Sequence, residues 1–437
     1  MAAGAALGLA LVLPLTTSAQ ASLPSAAGGG AGSLEVNVTQ ASTLSNGQPI
    51  VAVNPKNPNN VVYISTDHTP ATTTVRTQYH CYAAYSTNGG ATWTRVAFPY
   101  GNRAECGDPY LAVDSQGTFY TAFNRLGCAP GAPTESSPGG CGGAPNHVGV
   151  ARSTDGGRTW STPVDTPLLI ATTPRLRVDA ATDKVYAVGT LTPAPSPHAV
   201  TISSDRGRTW TTPTTTLPDQ AFGNQIAVGH GILMTGTCLK VVNNTSIEPT
   251  TVTIAVSRDG GKTFTSSLLT DSKGATVAPP SGSTVPSQAL LASDPIPWVS
   301  ADPTKAGRFA VMIPRGDTFE VYVTENAGTK WTGPTVISAP GAFRPWIDFG
   351  ARGALGVMWR TQPDVDVFST VSFDHGKTFS PTVKVNKTTQ PYFKGEGDEF
   401  SRILVTDKYA YVTWADARSG GQLDGIVGRV PLALYKH

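Results

Sequence analysis

From residue 34 onward the chain runs as short apolar stretches separated by turn-forming clusters, a pattern of brief strands rather than long helices. One arrangement recurs. A short apolar strand ending in Val-Asp or Val-Asn is followed by a tight turn and a second apolar strand, first at 49–63, with Ala52-Val53-Asn54 at the turn. Equivalent pairs occupy 109–123, 174–188, 224–234, 297–313, 345–359 and 400–414.

Six of these pairs are followed by an octapeptide reading Ser, any residue, Asp or Asn, any, Gly, any, Thr, then Trp or Phe. The copies begin at Ser86, Ser153, Ser203, Ser257, Thr324 and Ser372, and the fifth departs twice, with Thr324 for Ser and Lys330 for Thr. The chemistry is that of a hairpin turn: the Asp or Asn accepts from backbone N–H groups, Gly supplies a conformation other residues resist, and the aromatic packs down. Asp155, Asp205, Asp259 and Asp374 are therefore structural, and Trp93, Trp160, Trp210 and Trp331 belong to the core. Asp114 and Asp179 read as turn formers between the paired strands.

Strand, turn, strand, loop, strand, octapeptide turn, strand is the order of one four-stranded propeller blade. Six units are complete, and the seventh has two strands and a third across 425–434. Its missing outer strand is supplied by 34–40, where Leu34-Glu-Val-Asn-Val alternates apolar and polar, which also hides a sheet edge. The predicted fold is all-β: a propeller of seven four-stranded antiparallel blades closed by an N-terminal strand, with six blades as the alternative. Gly/Pro/Ser-rich insertions at 127–146, 190–197 and 272–295 are surface loops.

Composition agrees, with 46 Gly, 35 Pro and 14% charged residues in 437. A formal net charge of +2 without Lys/Arg runs argues against a nucleic-acid partner. Residues 1–21, with an apolar run from Ala5 to Leu15 and Ala19-Gln20-Ala21, read as a secretory signal, and 22–33 as a disordered lead-in. That leaves 34–437 as a single domain, expected to be secreted and monomeric with no membrane partner. Cys128 with Cys141, and Cys81 with Cys106, are the plausible pairs in an oxidising compartment, leaving Cys238 over. No C-x-x-C spacing points to a metal, and no cofactor is implied.

The octapeptide resembles the Asp-box of the sialidase superfamily, and six copies make the match specific. In that family three arginines grip a sialic acid carboxylate, a Tyr activated by a Glu attacks, and an Asp serves as acid or base. The family's Phe/Tyr-Arg-Ile-Pro motif is replaced here by Asn46-Gly47-Gln48-Pro49, and a related Phe343-Arg344-Pro345 stands five units later. Trp414-Ala-Asp416-Ala-Arg418 looks like a segment of bacterial members of unassigned activity.

Residues before the first strand and after the second strand of each unit gather at one mouth of a propeller. That shortlist holds Gln48, Asp108, Arg344 and Glu396-Gly-Asp398-Glu399 before, and Asp67, His68, Arg125, Arg315, Asp317, Arg360, Asp416 and Arg418 after. Arginine forks suit an acidic sugar, and glycoside cleavage needs a carboxyl pair or a Tyr/Glu equivalent. Arg125, Arg344, Arg360 and Arg418 are the substrate-binding candidates; Asp67, Asp108, Tyr392, Glu396 and Asp398 are the catalytic ones. Arg360 and Arg418 are equally readable as partners of Asp366 and Asp416, and His68 as a polar rim residue. Trp298, Trp346, Trp359 and Trp414 read as packing between blades. The sequence thus predicts a glycoside hydrolase-like protein acting on an acidic glycan. A non-catalytic glycan- or protein-binding propeller and a polysaccharide lyase remain open.

Overall fold

The computed structural model describes residues 33–40, 42, 44–69, 78–99, 105–126, 146–169, 174–191, 198–213, 215–217, 226–242, 246–279, 297–393 and 400–436. The expected signal segment, Cys128, Cys141, Glu396, Asp398 and most of the three insertions lie outside the described residues.

The described chain is all-β, with no α-helix and two short 3-10 turns, Ala351–Gly353 and Leu432–Tyr435. No helix among the described residues is long and apolar enough to cross a membrane. Five sheets are four-stranded; a seven-stranded sheet and a two-stranded pair complete the set, and every strand pairing is antiparallel. The first sheet, Ser45–Val53, Val61–Thr69, Gln78–Ser86 and Thr94–Val96, gives the pattern. The seven-stranded sheet is one four-stranded meander, Glu105 to Leu169, and one three-stranded, Arg175 to Ser203, joined by the single pairing of Leu169 with Thr190.

The first strands of successive groups are Ser45–Val53, Glu105–Val113, Arg175–Val178, Ile226–Gly229, Trp298–Ala301, Ala342–Phe349 and Arg402–Val405. Each lies beside the next, and the last lies beside the first. All seven line one cavity of about 220 Å3. Because the sheets stack face to face, the second strand of a group is apolar on both sides: Val61, Val62, Tyr63 and Ile64 are all fully buried. Trp298, Trp346, Trp359 and Trp414 are buried between sheets, and the rings of Trp298 and Trp346 lie 5.0 Å apart.

The N-terminal segment pairs with the C-terminal one. Leu34–Asn37 lies antiparallel to Asp424–Pro431, with Leu34 opposite Arg429 and Asn37 opposite Ile426. Both strands are shorter than the alternation predicts. Residues 38–40 turn away, with Asn37 Oδ1 accepting the Thr39 N–H, and Pro431, which has no N–H for the ladder, ends the other strand. Conversely, the strand predicted to end at Met234 runs Ile232–Val242, because Leu239 to Val242 pair with Ser246 to Pro249.

The six octapeptides fold alike. In the third, the Gly207 N–H donates to Ser203 Oγ at 2.8 Å and the Thr209 N–H to Asp205 Oδ1 at 2.9 Å. In the fifth, Thr324 and Asn326 substitute, with Gly328 and Lys330 donating at 3.0 and 2.9 Å. Each turn also leans on the preceding group. Asn60 donates to the Gly156 carbonyl at 2.9 Å, and Tyr411, in the last group, donates to the Gly89 carbonyl of the first at 3.2 Å. Asp114 and Asp179 are turn residues, accepting from the N–H groups of Gln116 and Thr118 and of Ala181, respectively.

Candidate functional site

Three groups begin their first strand with the same kink. Gln48, Asp108 and Arg344 each stand before a proline with φ of 55°, 51° and 51°. In each, the pairing with the second strand slips across that residue: between Gly47 and Ile50, Gly107 and Tyr110, and Phe343 and Trp346. A left-handed non-glycine residue costs about 1–2 kcal/mol, and such bulges re-aim a side chain at the rim of a sheet. The three kinks turn an amide, a carboxylate and a guanidinium out of the ladder at the end of the cavity where the first strands begin.

The amide and the carboxylate meet. Gln48 Nε2 donates to Asp108 Oδ1 at 2.6 Å, Asn124 Nδ2 donates to Asp108 Oδ2 at 3.0 Å, and Thr66 Oγ1 donates to Gln48 Oε1 at 2.8 Å. Asp67 is buried and also engaged. Its Oδ1 accepts from Ser42 and Asn46, both at 3.0 Å, and its Oδ2 from the half-exposed Arg95 at 3.0 Å. His68 lies opposite Ser45, its ring 6.0 Å from that of Tyr79.

A second cluster surrounds Phe343. The guanidinium carbons of Arg344 and Arg360 lie 4.8 and 5.7 Å from its ring centre, and the Tyr392 ring meets it edge-on at 5.7 Å. Arg360, which is buried, also donates to the Ala415 carbonyl at 3.1 Å. The structure therefore brings Arg344, Arg360 and Tyr392 around one aromatic ring. Arg360 and Asp366 are not joined by a described salt bridge; Asp366 instead pairs with Lys384 at 2.7 Å.

Arg125 and Arg418 are committed to carboxylates. Arg125 is buried over Gly149 and pairs with Asp165. Arg418 donates to Asp416 at 2.8 and 2.6 Å and pairs with Glu35 at 2.7 Å, while Trp414 Nε1 donates to Asp416 at 2.8 Å. Of the remaining shortlist, Arg315 pairs with Glu320 at 3.0 Å, and Asp317 accepts the Gly341 N–H. Among the described residues no group of three or more His, Cys, Asp or Glu side chains is arranged to hold a metal ion.

Cys81 and Cys106 form a disulfide, with Cα atoms 5.4 Å apart, tying the third strand of the first group to the first strand of the second. Cys238 is a buried thiol, pushed up to about 12 by burial.

Sequence reasoning missed a set of charges deeper in the cavity. Arg175, Arg177 and Arg402 lie on two first strands where other groups carry apolar residues such as Ile50, Ala52, Ile226 and Val228, and Asp348 faces them from a third strand. The available signal was the aligned position: Arg175 follows Pro174 as Ile50 follows Pro49 and Trp346 follows Pro345.

No protein-family model and no curated protein matches the chain. Solved structures do. A protein of unknown function from Dyadobacter fermentans superposes with a TM-score of 0.50 at 14% identity, over 92% of this chain and all of that one. A Trypanosoma rangeli sialidase in complex with the inhibitor DANA is similar at 0.45 and 12%, over 91% of this chain and 59% of that one. An ulvan lyase, a polysaccharide lyase, is similar at 0.47 and 12%, over 91% of this chain and 96% of that one. At these identities the first likeness bears on the fold alone, and chemistry has to be argued from the site.

Proposed function

We propose that the chain is a secreted, seven-bladed β-propeller of the sialidase type whose channel mouth binds an acidic glycan. Seven first strands lining one cavity, the last beside the first, support the blade count. The pairing of Leu34–Asn37 with Asp424–Pro431 supports closure by the N-terminal strand. Uniform octapeptide turns support the Asp-box assignment, and a disulfide suits an oxidising compartment.

The observation that carries the functional reading is the cluster of Arg344, Arg360 and Tyr392 around Phe343. Guanidinium forks hold a carboxylate through paired hydrogen bonds. The left-handed kink at Arg344 presents that fork at the mouth. Asp67 and Asp108 already accept two or three hydrogen bonds each from neighbouring side chains, which fixes their carboxyl groups in place at the rim.

A hydrolytic reading is favoured by one feature, the position of Tyr392 beside both arginines. In it Tyr392 attacks the anomeric carbon, Glu396 takes its proton, and Asp398 protonates the leaving oxygen. The test is a glycan array run in parallel with chromogenic sialosides, uronides and arabinosides. Capture of acidic glycans that is lost in Arg344→Ala supports the binding reading. Turnover that is lost in Tyr392→Phe adds the hydrolytic one, and an unsaturated uronide product transfers the protein to the lyases. Capture of neutral glycans alone, or none, ends the acidic-glycan reading.

A further inference from the structure

The end of the molecule away from the mouth is built from two kinds of tight turn. In an antiparallel meander the turn between the first and second strands and the octapeptide after the third come out at the same end. They touch there: the Gly89 N–H donates to the Asn59 carbonyl and the Ala327 N–H to the Gly307 carbonyl, both at 2.8 Å. All of these turns lie among the described residues.

One stretch of that end is strongly positive. The third octapeptide carries Arg206 and Arg208, the fourth Arg258 and Lys262, and all four are exposed. Arg152, half-buried just before the second octapeptide, donates to the Arg206 carbonyl at 3.1 Å. The fourth turn packs against the third group: a Cβ on Gly260 would stand 3.8 Å from Ile202, the residue before the third octapeptide. These five cations therefore occupy neighbouring turns.

On the third and fourth octapeptides only Asp205 and Asp259 oppose them, and both face inward. Asp205 Oδ1 accepts the N–H groups of Arg208 and Thr209 at 3.0 and 2.9 Å, and its Oδ2 the Thr209 hydroxyl at 2.6 Å. Asp259 is held in the same way by Lys262 and Thr263. Of the carboxylates on the adjoining turn, the buried Asp179 accepts the N–H groups of His230 and Gly231, and Asp183 accepts from Ser115. The arginines rest on carbonyls instead, Arg208 on that of Asp205 at 2.9 Å and Arg258 on those of Asn326 and Ala327 at 3.2 and 3.3 Å. A carbonyl fixes a guanidinium without neutralising it. Among the described residues none of the five cations forms a salt bridge.

Folding does not call for these cations. The first octapeptide has Gly89 at the position of Arg206, and Ala91 at that of Arg208 and Lys262. It closes with the same bonds, the Gly90 N–H to Ser86 Oγ at 2.8 Å and the Thr92 N–H to Asn88 Oδ1 at 2.9 Å. Arg206 even occupies the left-handed region, φ 61°, which glycine adopts more readily. Like charges gathered on rigid turns repel one another and attract an anionic partner.

We infer that the third and fourth octapeptide turns, with Arg152, form a docking surface for a linear acidic polysaccharide. Cations set along successive turns, rather than converging on one point, match an extended chain of repeated negative charges. The two turns expose no large apolar side chain for a nucleic-acid base to stack on or for a lipid to cover. The surface lies at the far end of the strands from Arg344, so a polymer held there leaves the mouth open. The inference goes beyond the mouth reading and does not rest on it.

The experiment measures binding of the full chain to immobilised dextran sulfate and polygalacturonate, with neutral dextran as the control, at low and moderate salt. The wild type is expected to bind both acidic polymers and not dextran, and to weaken as salt rises, because each contact releases counterions. The variant combining Arg206→Gly, Arg208→Ala and Lys262→Ala, substitutions to residues that the first octapeptide carries, is expected to lose at least tenfold in affinity for dextran sulfate at low salt. Its salt dependence is expected to be shallower. Arg208→Lys with Lys262→Arg keeps the charge and is expected to bind like the wild type. If the combined variant does not fold, Lys262→Ala alone decides, with a loss of at least twofold expected. Equal affinity of wild type and variant, equal binding of dextran, or a preference for duplex DNA or phosphatidylglycerol vesicles over both polymers overturns the inference. Arg344→Ala separates the two sites. An unchanged dextran sulfate affinity is expected there, and binding that is lost in Arg344→Ala but kept in the combined variant belongs to the mouth and overturns the inference as well.

Discussion

Gln48 and Asp108, sixty residues apart in the chain, join side chains at 2.6 Å across two neighbouring sheets, each from a left-handed residue before a proline. The pair locks two kinks that neither strand holds alone, since each kinked residue is unfavourable by itself. Replacing Gln48 by Glu sets two carboxylates against each other, and two such groups in contact cannot both be ionised. One of them then has a folded-state pKa above its unfolded value, so stability is retained at low pH and lost as pH rises through the raised value. The expected outcome is a loss of about 1–3 kcal/mol near neutrality that shrinks below about pH 4, read by urea unfolding at both pH values.

Arg418 is expected to declare itself in stability. Its guanidinium is shared by the buried carboxylates of Asp416 and Glu35, so Arg418→Ala takes this cation from both. A loss of about 3–5 kcal/mol is expected, with Asp416→Asn in the Arg418→Ala background recovering part of it. Chemical denaturation of the three proteins checks this.

The strand Leu34–Asn37 covers the edge of Asp424–Pro431. Deleting residues 1–40 exposes that edge and removes Val38 from its small apolar cluster with Tyr63, Tyr82 and Val427. Exposed edges template association, so light scattering is expected to find larger particles than for the full chain, with a lower melting temperature.

The octapeptide carboxyls give a pH signature. The Asp205 carboxyl lies well below its ordinary value, through the Thr209 hydroxyl and N–H first and then Ser203 and the Arg208 N–H. A carboxyl depressed in the folded state contributes stability that is present above its unfolded value of about 3.9 and is lost as pH falls through the folded one. Asp205→Asn is therefore expected to be less stable than the wild type near neutrality and to approach it in strong acid. Unfolding midpoints measured across that range test the sign.

How much of this was legible in the sequence follows from what each feature depends on. The strands and turns were readable because alternation and the octapeptide are local: Ser203, Asp205, Gly207 and Thr209 satisfy one another within seven residues. The pairing of the N-terminal strand was readable from its alternation and the missing fourth strand. Strand ends were not, because Pro431 and the Asn37–Thr39 turn act at single residues. Partners across the fold were hidden as well. Arg418 meets Glu35 from the opposite end of the chain, and Arg125 meets Asp165 on another strand of its sheet, so both arginines looked uncommitted. Arg175, Arg177 and Arg402 were not singled out in the sequence, because only the fold brings their strands and that of Tyr110 together. Among the catalytic candidates, Glu396 and Asp398 lie outside the described residues.

The account stands on a carboxylate being held by the arginines around Phe343. The most direct measurement is the affinity of the wild type, Arg344→Ala and Arg360→Ala for a uronic or sialic oligosaccharide and for its methyl ester. A preference for the free acid of at least tenfold in the wild type, abolished in Arg344→Ala and reduced in Arg360→Ala, is the predicted result. Equal binding of acid and ester, or a preference that persists in Arg344→Ala, contradicts it.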